Sequence, residues 1–386
     1  MTYCELCSKF SFELPEYAEQ YFDGFIAQYD RNEPILTPEK IDVVWEATSL
    51  PEEAKEAILK YTEILHASDD GHLCGSFLAY LVIYEREPWL NYIYRDEHFA
   101  VEGLTTQQIG WIFVVLQLAE TLIVRKPPVD LNKENINTFV EYTNNCKSQH
   151  GYWGIIEWWW NMLSAGGCMF MFGILKFSPH EFGSDFAVIT DGEKFVSLAV
   201  LNGFIGKEGD LVDCKEKSIA TTSFYEDDEK YVAHVVTPNG KVDLEPTVFD
   251  KKVWKDYLRH GTPTLDIHIP SKIVYNSETI KEAYEQAVEY YRTHWNYDVK
   301  AITAYSWLYC PQLYKVLAPD SNILAVNAGM HLLPMIETFD STCTFIRPGS
   351  SLQKQFEEEC EKGTEFHFGM MYTTTPEIET FGKKLM

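Results

Sequence analysis

Up to about residue 147 the apolar positions recur every three to four residues, the period of helices with one buried face. Thr37 and Pro38 open one such helix ahead of Ile41, Val44 and Trp45, and Ala54, Ala57, Ile58, Tyr61, Ile64 and Leu65 mark the stripe of the next. Further helices are expected over 75–85, 105–124 and 132–150, with a break at 126–128. After the pair Gly166-Gly167 the pattern changes to strands. FAVITDGEKFVSLAV (186–200), with its Asp191-Gly192 turn, and IATTSFYEDDEKYVAHVV (219–236), with an acidic turn at 226–229, each predict a hairpin. Pro238-Asn239-Gly240 adds a turn, and a short helix is expected near 250–259.

The stretch 265–322 carries the densest alternation of elements. In LDIHIP (265–270), Leu265, Ile267 and Ile269 alternate with Asp266 and His268, which predicts a strand stopped by Pro270. Ser277 then precedes Ile280, Tyr284, Ala287, Val288 and Tyr291 at helical spacing, with Glu278 and Glu282 in the first turns. KAITAYSWLYC (300–310) reads as a second, buried strand, and Pro311 opens a short helix that ends near Pro319. The order is strand, helix, strand, helix.

Between the two regimes, 153–177 is apolar enough to raise the question of a membrane span. Glu157, Asn161 and the pair Gly166-Gly167 argue against one, so it reads as a tryptophan-rich helix followed by a buried strand, CMFMFGILKF. The expected architecture is α+β: an all-helical domain over 1–166, then a mixed β-sheet domain with flanking helices over 167–386.

Composition sharpens this in a few respects. The chain has 386 residues, 46% hydrophobic and 15% aromatic, enough to build substantial cores. A formal net charge of −26 disfavours nucleic acid or an anionic membrane as partner, since either requires a basic surface. Nine scattered cysteines and no apolar leader after Met1 point to a reduced, cytoplasmic setting. Cys4 and Cys7 form a CxxC with no second ligand pair at zinc-site spacing, so no metal is expected.

Short blocks in order carry a family likeness: FGILKF (172–177), HIP (268–270), SWL (306–308), PQL (311–313), DSNI (320–323), SLQ (351–353) and a small-residue turn at Gly363. In these the chain resembles bacterial N-acyltransferases that have a helical amino-terminal domain and a GNAT-like carboxy-terminal domain. The resemblance implies two neighbouring strands that splay apart around an acyl thioester, with acetyl-CoA or another acyl-CoA as cosubstrate and a small-molecule or peptide amine as acceptor. It puts the pantetheine arm along Ile267, His268 and Ile269, and the diphosphate near Ser271, Lys272, Asn276 and Ser277, at a loop and helix start. Here the chain departs from the pattern: SKIVYNS has no glycine, and Glu278 follows at the helix start. QQIG (107–110) imitates a phosphate loop but is not preceded by a strand.

Acyl transfer to an amine needs a group to take a proton and one to stabilise or protonate the departing thiolate. His268 is a candidate base or a hydrogen-bonded strand histidine, and Tyr314 a candidate acid or a packed aromatic. Ser306 is a candidate for a direct role or a backbone cap, with Tyr305, Trp307 and Asn322 as candidate acceptor contacts. Ala304, Tyr305 and Cys310 stand where the resembling family leads one to expect a cysteine, a histidine and an acidic residue. The leading expectation is an acyl-CoA-dependent N-acyltransferase; the alternative is a non-catalytic GNAT-shaped module that binds a ligand or a protein.

Overall fold

The computed structural model describes residues 2–10, 18–84, 101–270, 273–343 and 346–382, and the chain divides into two units, Met1–Met171 and Phe172–Met386. In the first unit the amphipathic stripes fold as α1 (Tyr3–Phe10), α2 (Glu19–Gln28), α3 (Pro38–Ala47), α4 (Glu52–Ala67), α5 (Asp69–Tyr84), α6 (Thr106–Glu120), α7 (Val129–His150) and α8 (Trp158–Ala165). Local chemistry sets their starts. The Thr37 side chain accepts from the Lys40 amide ahead of α3. At α6 Thr105 and Gln108 form a reciprocal capping box, so the QQIG run is a helix start.

α6 is the core of this unit. Trp111, Ile112, Phe113, Val114, Val115 and Leu116 are all fully buried, and Trp111 packs against Trp45 and Tyr61 at 6.0 and 6.4 Å. Among the described residues one helical stretch, Thr106–Arg125, is long and apolar enough to cross a membrane, and 72% of its apolar window is buried inside the protein, as in a core helix. It ends in a π-turn, Thr121–Arg125, closed by Lys126 at φ 47°.

The second expected regime is strands. The chain forms β1 (Phe170–Phe172), β2 (Leu175–Glu181), β3 (Phe186–Thr190), β4 (Phe195–Ala199), β5 (Phe204–Ile205), β6 (Leu211–Val212), β7 (Ala220–Thr221), β8 (Phe224–Glu226), β9 (Lys230–Ala233) and β10 (Val235–Val236). Next come β11 (Thr247–Asp250), β12 (Lys255–Leu258), β13 (Pro263–His268), α9 (Ser277–Trp295), β14 (Ala301–Ser306), α10 (Asn322–Asn327), β15 (His331–Phe339), α11 (Ser351–Glu361) and β16 (Phe366–Thr374). The expected hairpins are β3–β4 and β8–β9. The principal sheet of this unit stands in the order β2-β13-β14-β16-β15, antiparallel throughout except for β13 and β14, which run parallel and are joined by α9. The architecture is α+β, a helical unit followed by a mixed-sheet unit.

Some expectations fail for physical reasons. The helix expected near 250–259 is instead the end of β11 and all of β12, because Phe249 and Leu258 find buried partners across the sheets, opposite Tyr231 and Val188. CMFMFGILKF is not a single strand: Gly173, at φ 55°, turns β1 into β2. The strand expected over 300–310 stops at Ser306, whose hydroxyl accepts from the Leu308 amide and starts a 3-10 turn, Trp307–Tyr309. After Pro311 only another such turn forms, Leu313–Lys315.

Gly110 in α6 lies against Trp158, and a Cβ there would sit 2.3 Å from the indole Cγ. Gly110→Ala gains about 1 kcal/mol of helix propensity but forces the indole out of place, at about 1–3 kcal/mol. We predict a net loss of up to roughly 2 kcal/mol in denaturant unfolding; a raised midpoint would mean that Trp158 repacks at no cost.

Candidate functional site

β13 and β14 are registered over Thr264–Ala301, Leu265–Ile302 and Asp266–Thr303, and there the register ends. Both strands continue. Ile267 and His268 are registered with Phe177 and Lys176 of β2, and Ala304, Tyr305 and Ser306 with Met371, Met370 and Gly369 of β16. Each strand thus follows its outer neighbour, and an opening begins after Asp266 and Thr303.

Alternation divides the side chains at this opening between the two faces of the sheet. Leu265 and Ile267 are buried on the face covered by α9, where Tyr284 packs on Phe177 and the Tyr291 hydroxyl donates to the Phe177 carbonyl at 2.7 Å. Thr264, Asp266 and His268 take the other face, beside His180, Ser178 and Lys176 of β2. Burial pushes the Asp266 carboxyl up to about 7, against the opposing pull of the Ile267 amide. Burial, then Lys176 and His180, push His268 down to about 4. The His268 Nε2 lies 3.6 Å from Asp266 Oδ2. Both shifts favour the neutral forms, so at neutral pH this contact is not an ion pair.

From the α9 face comes Tyr309. Gly369 has no side chain to block the 3-10 turn: a Cβ there would lie 2.0 Å from the Tyr309 carbonyl oxygen. The Tyr309 ring is fully buried and its hydroxyl is 3.2 Å from that of Tyr275, in the segment leading into α9. Burial raises the Tyr309 phenol well above its usual range, with smaller contributions from Tyr275, Tyr284 and Asp266. Burial likewise pushes Tyr275 up to about 12. The buried Tyr284 hydroxyl, in α9 nearby, has no hydrogen-bond partner among the described residues. Two protonated phenols on one face, and a carboxyl with a pKa near neutrality on the other, lie where the strands part.

The residues singled out in the sequence are distributed as follows. Ile267 and His268 border the opening, and Ile269 is half-buried just beyond β13. Ser271 and Lys272 lie outside the described residues. Asn276 caps α9, its side chain accepting from the Glu278 and Thr279 amides, both at 3.1 Å. Ser277 begins α9 against Gly382, where a Cβ would lie 2.9 Å from the serine Cβ. Ser306 caps the turn; the Trp307 ring packs on Phe356 at 6.3 Å. Tyr305 is exposed, stacked on Phe368 at 5.3 Å, its hydroxyl donating to the Glu337 carboxylate. Tyr314 is half-exposed over a small pocket with Glu208, Gly240 and Pro311, and Asn322 is exposed at the start of α10. Asp266 and Tyr309 were not among the sequence candidates. An Asp in a strand interior, where the residue is disfavoured, was the available signal for the first; Tyr309 was hidden inside an apparent strand.

Among the described residues no group of His, Cys, Asp and Glu could hold a metal ion. The model of the GNAT-like C-terminal domain family matches residues 169–365, and the chain belongs to that family. A mutant acyltransferase crystallised with octanoyl-CoA shares the fold, at 13% identity, 97% coverage of this chain, 99% of the other and a TM-score of 0.51. An acyltransferase crystallised with decanoyl-CoA and teicoplanin aligns at 16% identity, 97% and 99% coverage and a TM-score of 0.45. No curated protein matches the sequence.

The Asp266 shift has a consequence that needs no substrate. Its folded pKa lies above the ordinary 3.8, so the unfolded chain gives up the proton first, and folding loses stability as pH rises from about 4 to about 7. Asp266→Asn removes a penalty on the order of 2–4 kcal/mol that is complete only above about pH 7. Thermal melts should therefore show the variant gaining more over wild type at about pH 8 than at about pH 5. An equal gain at both would mean that Asp266 titrates normally.

Proposed function

We propose that the protein transfers an acyl group from acyl-CoA to an amine, on the ground that β13 and β14 part after Asp266 and Thr303. The opening suits the amides of a pantetheine arm, which pair with backbone as an added strand does. Family membership and the fold shared with an acyltransferase crystallised with octanoyl-CoA support the same reading. The acyl-CoA supplies the thioester.

In this reading Asp266, as the carboxylate, takes the proton from the attacking amine, with neutral His268 beside it. The amine nitrogen bonds to the thioester carbon and the carbon–sulfur bond breaks. Tyr309, kept protonated by burial and steadied by Tyr275, gives its proton to the departing thiolate, the role considered for Tyr314 in the sequence. The acceptor is a small-molecule or peptide amine, with Tyr305 and Trp307 beside its approach. One observation favours a second reading, a non-catalytic GNAT-shaped module: the Asn276 side chain occupies two amides at the start of α9, where a diphosphate would otherwise bind.

Thiol release from acyl-CoA with a panel of amines separates the two. The transferase reading predicts kcat/KM rising with pH through an apparent pKa near 7, since the base is the ionised carboxylate. Asp266→Asn should abolish that limb and lower kcat roughly 100-fold or more. Tyr309→Phe should lower kcat about 10- to 100-fold, whereas Tyr314→Phe should not. Acyl-CoA binding without thiol release by any amine would favour the module.

A further inference from the structure

A phenol that hands a proton to a thiolate has to be aimed. Tyr309 is carried on a single 3-10 turn, Trp307–Tyr309, closed by a backbone bond from the Cys310 amide to the Trp307 carbonyl at 3.1 Å. So short a turn, with the poorer bond geometry of its class, does little to hold itself in place.

Side chains hold it at the residue just before Tyr309. The Ser306 hydroxyl accepts from the Leu308 amide at 3.2 Å. On the other side of the same residue, the Asn327 side chain, at the end of α10, meets the Leu308 carbonyl oxygen at 2.7 Å. That carbonyl belongs to the planar peptide leading into Tyr309, so fixing its direction fixes where the Tyr309 backbone starts. α10 is itself anchored: Val326 is buried, and Ile323 and Leu324 pack against the apolar cluster that contains Cys310, Leu313 and Val316.

Asn327 is buried. A carbonyl only accepts, so the atom facing Leu308 is the amide nitrogen, Nδ2, and Oδ1 is turned elsewhere. There Oδ1 is buried with no hydrogen-bond partner among the described residues. An orphaned buried acceptor costs stability, and such local inconsistencies are found where a function depends on them. We infer that Asn327 is a positioning residue for Tyr309: its Nδ2 fixes the Leu308 carbonyl and thereby keeps the Tyr309 hydroxyl beside that of Tyr275, near the point where β13 and β14 part.

The inference rests on the acid role proposed for Tyr309, and two readouts on the full-length protein keep the two apart. The first is a double-mutant cycle on thiol release from acyl-CoA. Asn327→Leu, which keeps the size of the side chain and removes the donor, should lower kcat about tenfold with KM for acyl-CoA little changed. In a Tyr309→Phe background the same change should cost less than about twofold, since no acid is left to aim. The second readout needs no turnover. In protein labelled with carbon-13 at tyrosine Cζ, the NMR signal of Tyr309, identified by its loss in Tyr309→Phe, should move in Asn327→Leu while those of the tyrosines in the helical unit stay in place. Asn327→Ala serves both readouts where the leucine variant does not fold. A loss repeated in full in the Tyr309→Phe background, or an unmoved Tyr309 signal, overturns the inference. An unchanged kcat in Tyr309→Phe, or no thiol release by the wild type, removes the acid role instead, and the ring signal then decides the positioning by itself.

Discussion

The end of the β13–β14 register after three residue pairs governs what the second unit can do. Parallel strands in the interior of a sheet normally satisfy one another along their length, because unpaired buried backbone groups are costly. Here each strand turns to its outer neighbour instead, β13 to β2 and β14 to β16. Those antiparallel ladders hold the two strands in place on either side of the point where they part. α9, capped by Asn276 and packed through Tyr284 and Tyr291, backs one face of it.

The electrostatics of the opening follow from that geometry. Asp266 is the last residue of β13 in register with β14 and stands next to neutral His268, so burial dominates its titration and moves it into the range useful for proton transfer at neutral pH. Tyr309 reaches the other face because Gly369 lets a tight turn cross β16. A carboxyl poised to lose its proton and a phenol that retains one therefore lie near the point where the strands part. In stability terms Asp266 is a liability, and a carboxyl kept in such a place is the kind of local inconsistency found at functional sites.

Much of this was legible in the sequence. Period alone separated the helical unit from the sheet unit, Thr37-Pro38 announced α3, Asp191-Gly192 the β3–β4 hairpin, and LDIHIP the strand β13. The helix wrongly expected near 250–259 shows the limit, since Phe249 and Leu258 are placed by partners distant in sequence. Tyr309 was illegible for a related reason. Nothing local in SWLYC says that the strand ends at Ser306; that depends on the Ser306 cap and on the space left by Gly369, more than sixty residues later. Asp266 was visible as the polar member of an alternating strand, but its burial, and hence its chemistry, comes from β2 and β14.

The central claim is that the gap between β13 and β14 receives the thioester arm. Hydrogen–deuterium exchange of the backbone, with and without a long-chain acyl-CoA, tests it most directly. The account predicts new protection concentrated at Ile267 and His268 of β13 and at Ala304, Tyr305 and Ser306 of β14, with the β3–β4 hairpin unchanged. Protection absent from both strands at saturating acyl-CoA would contradict it.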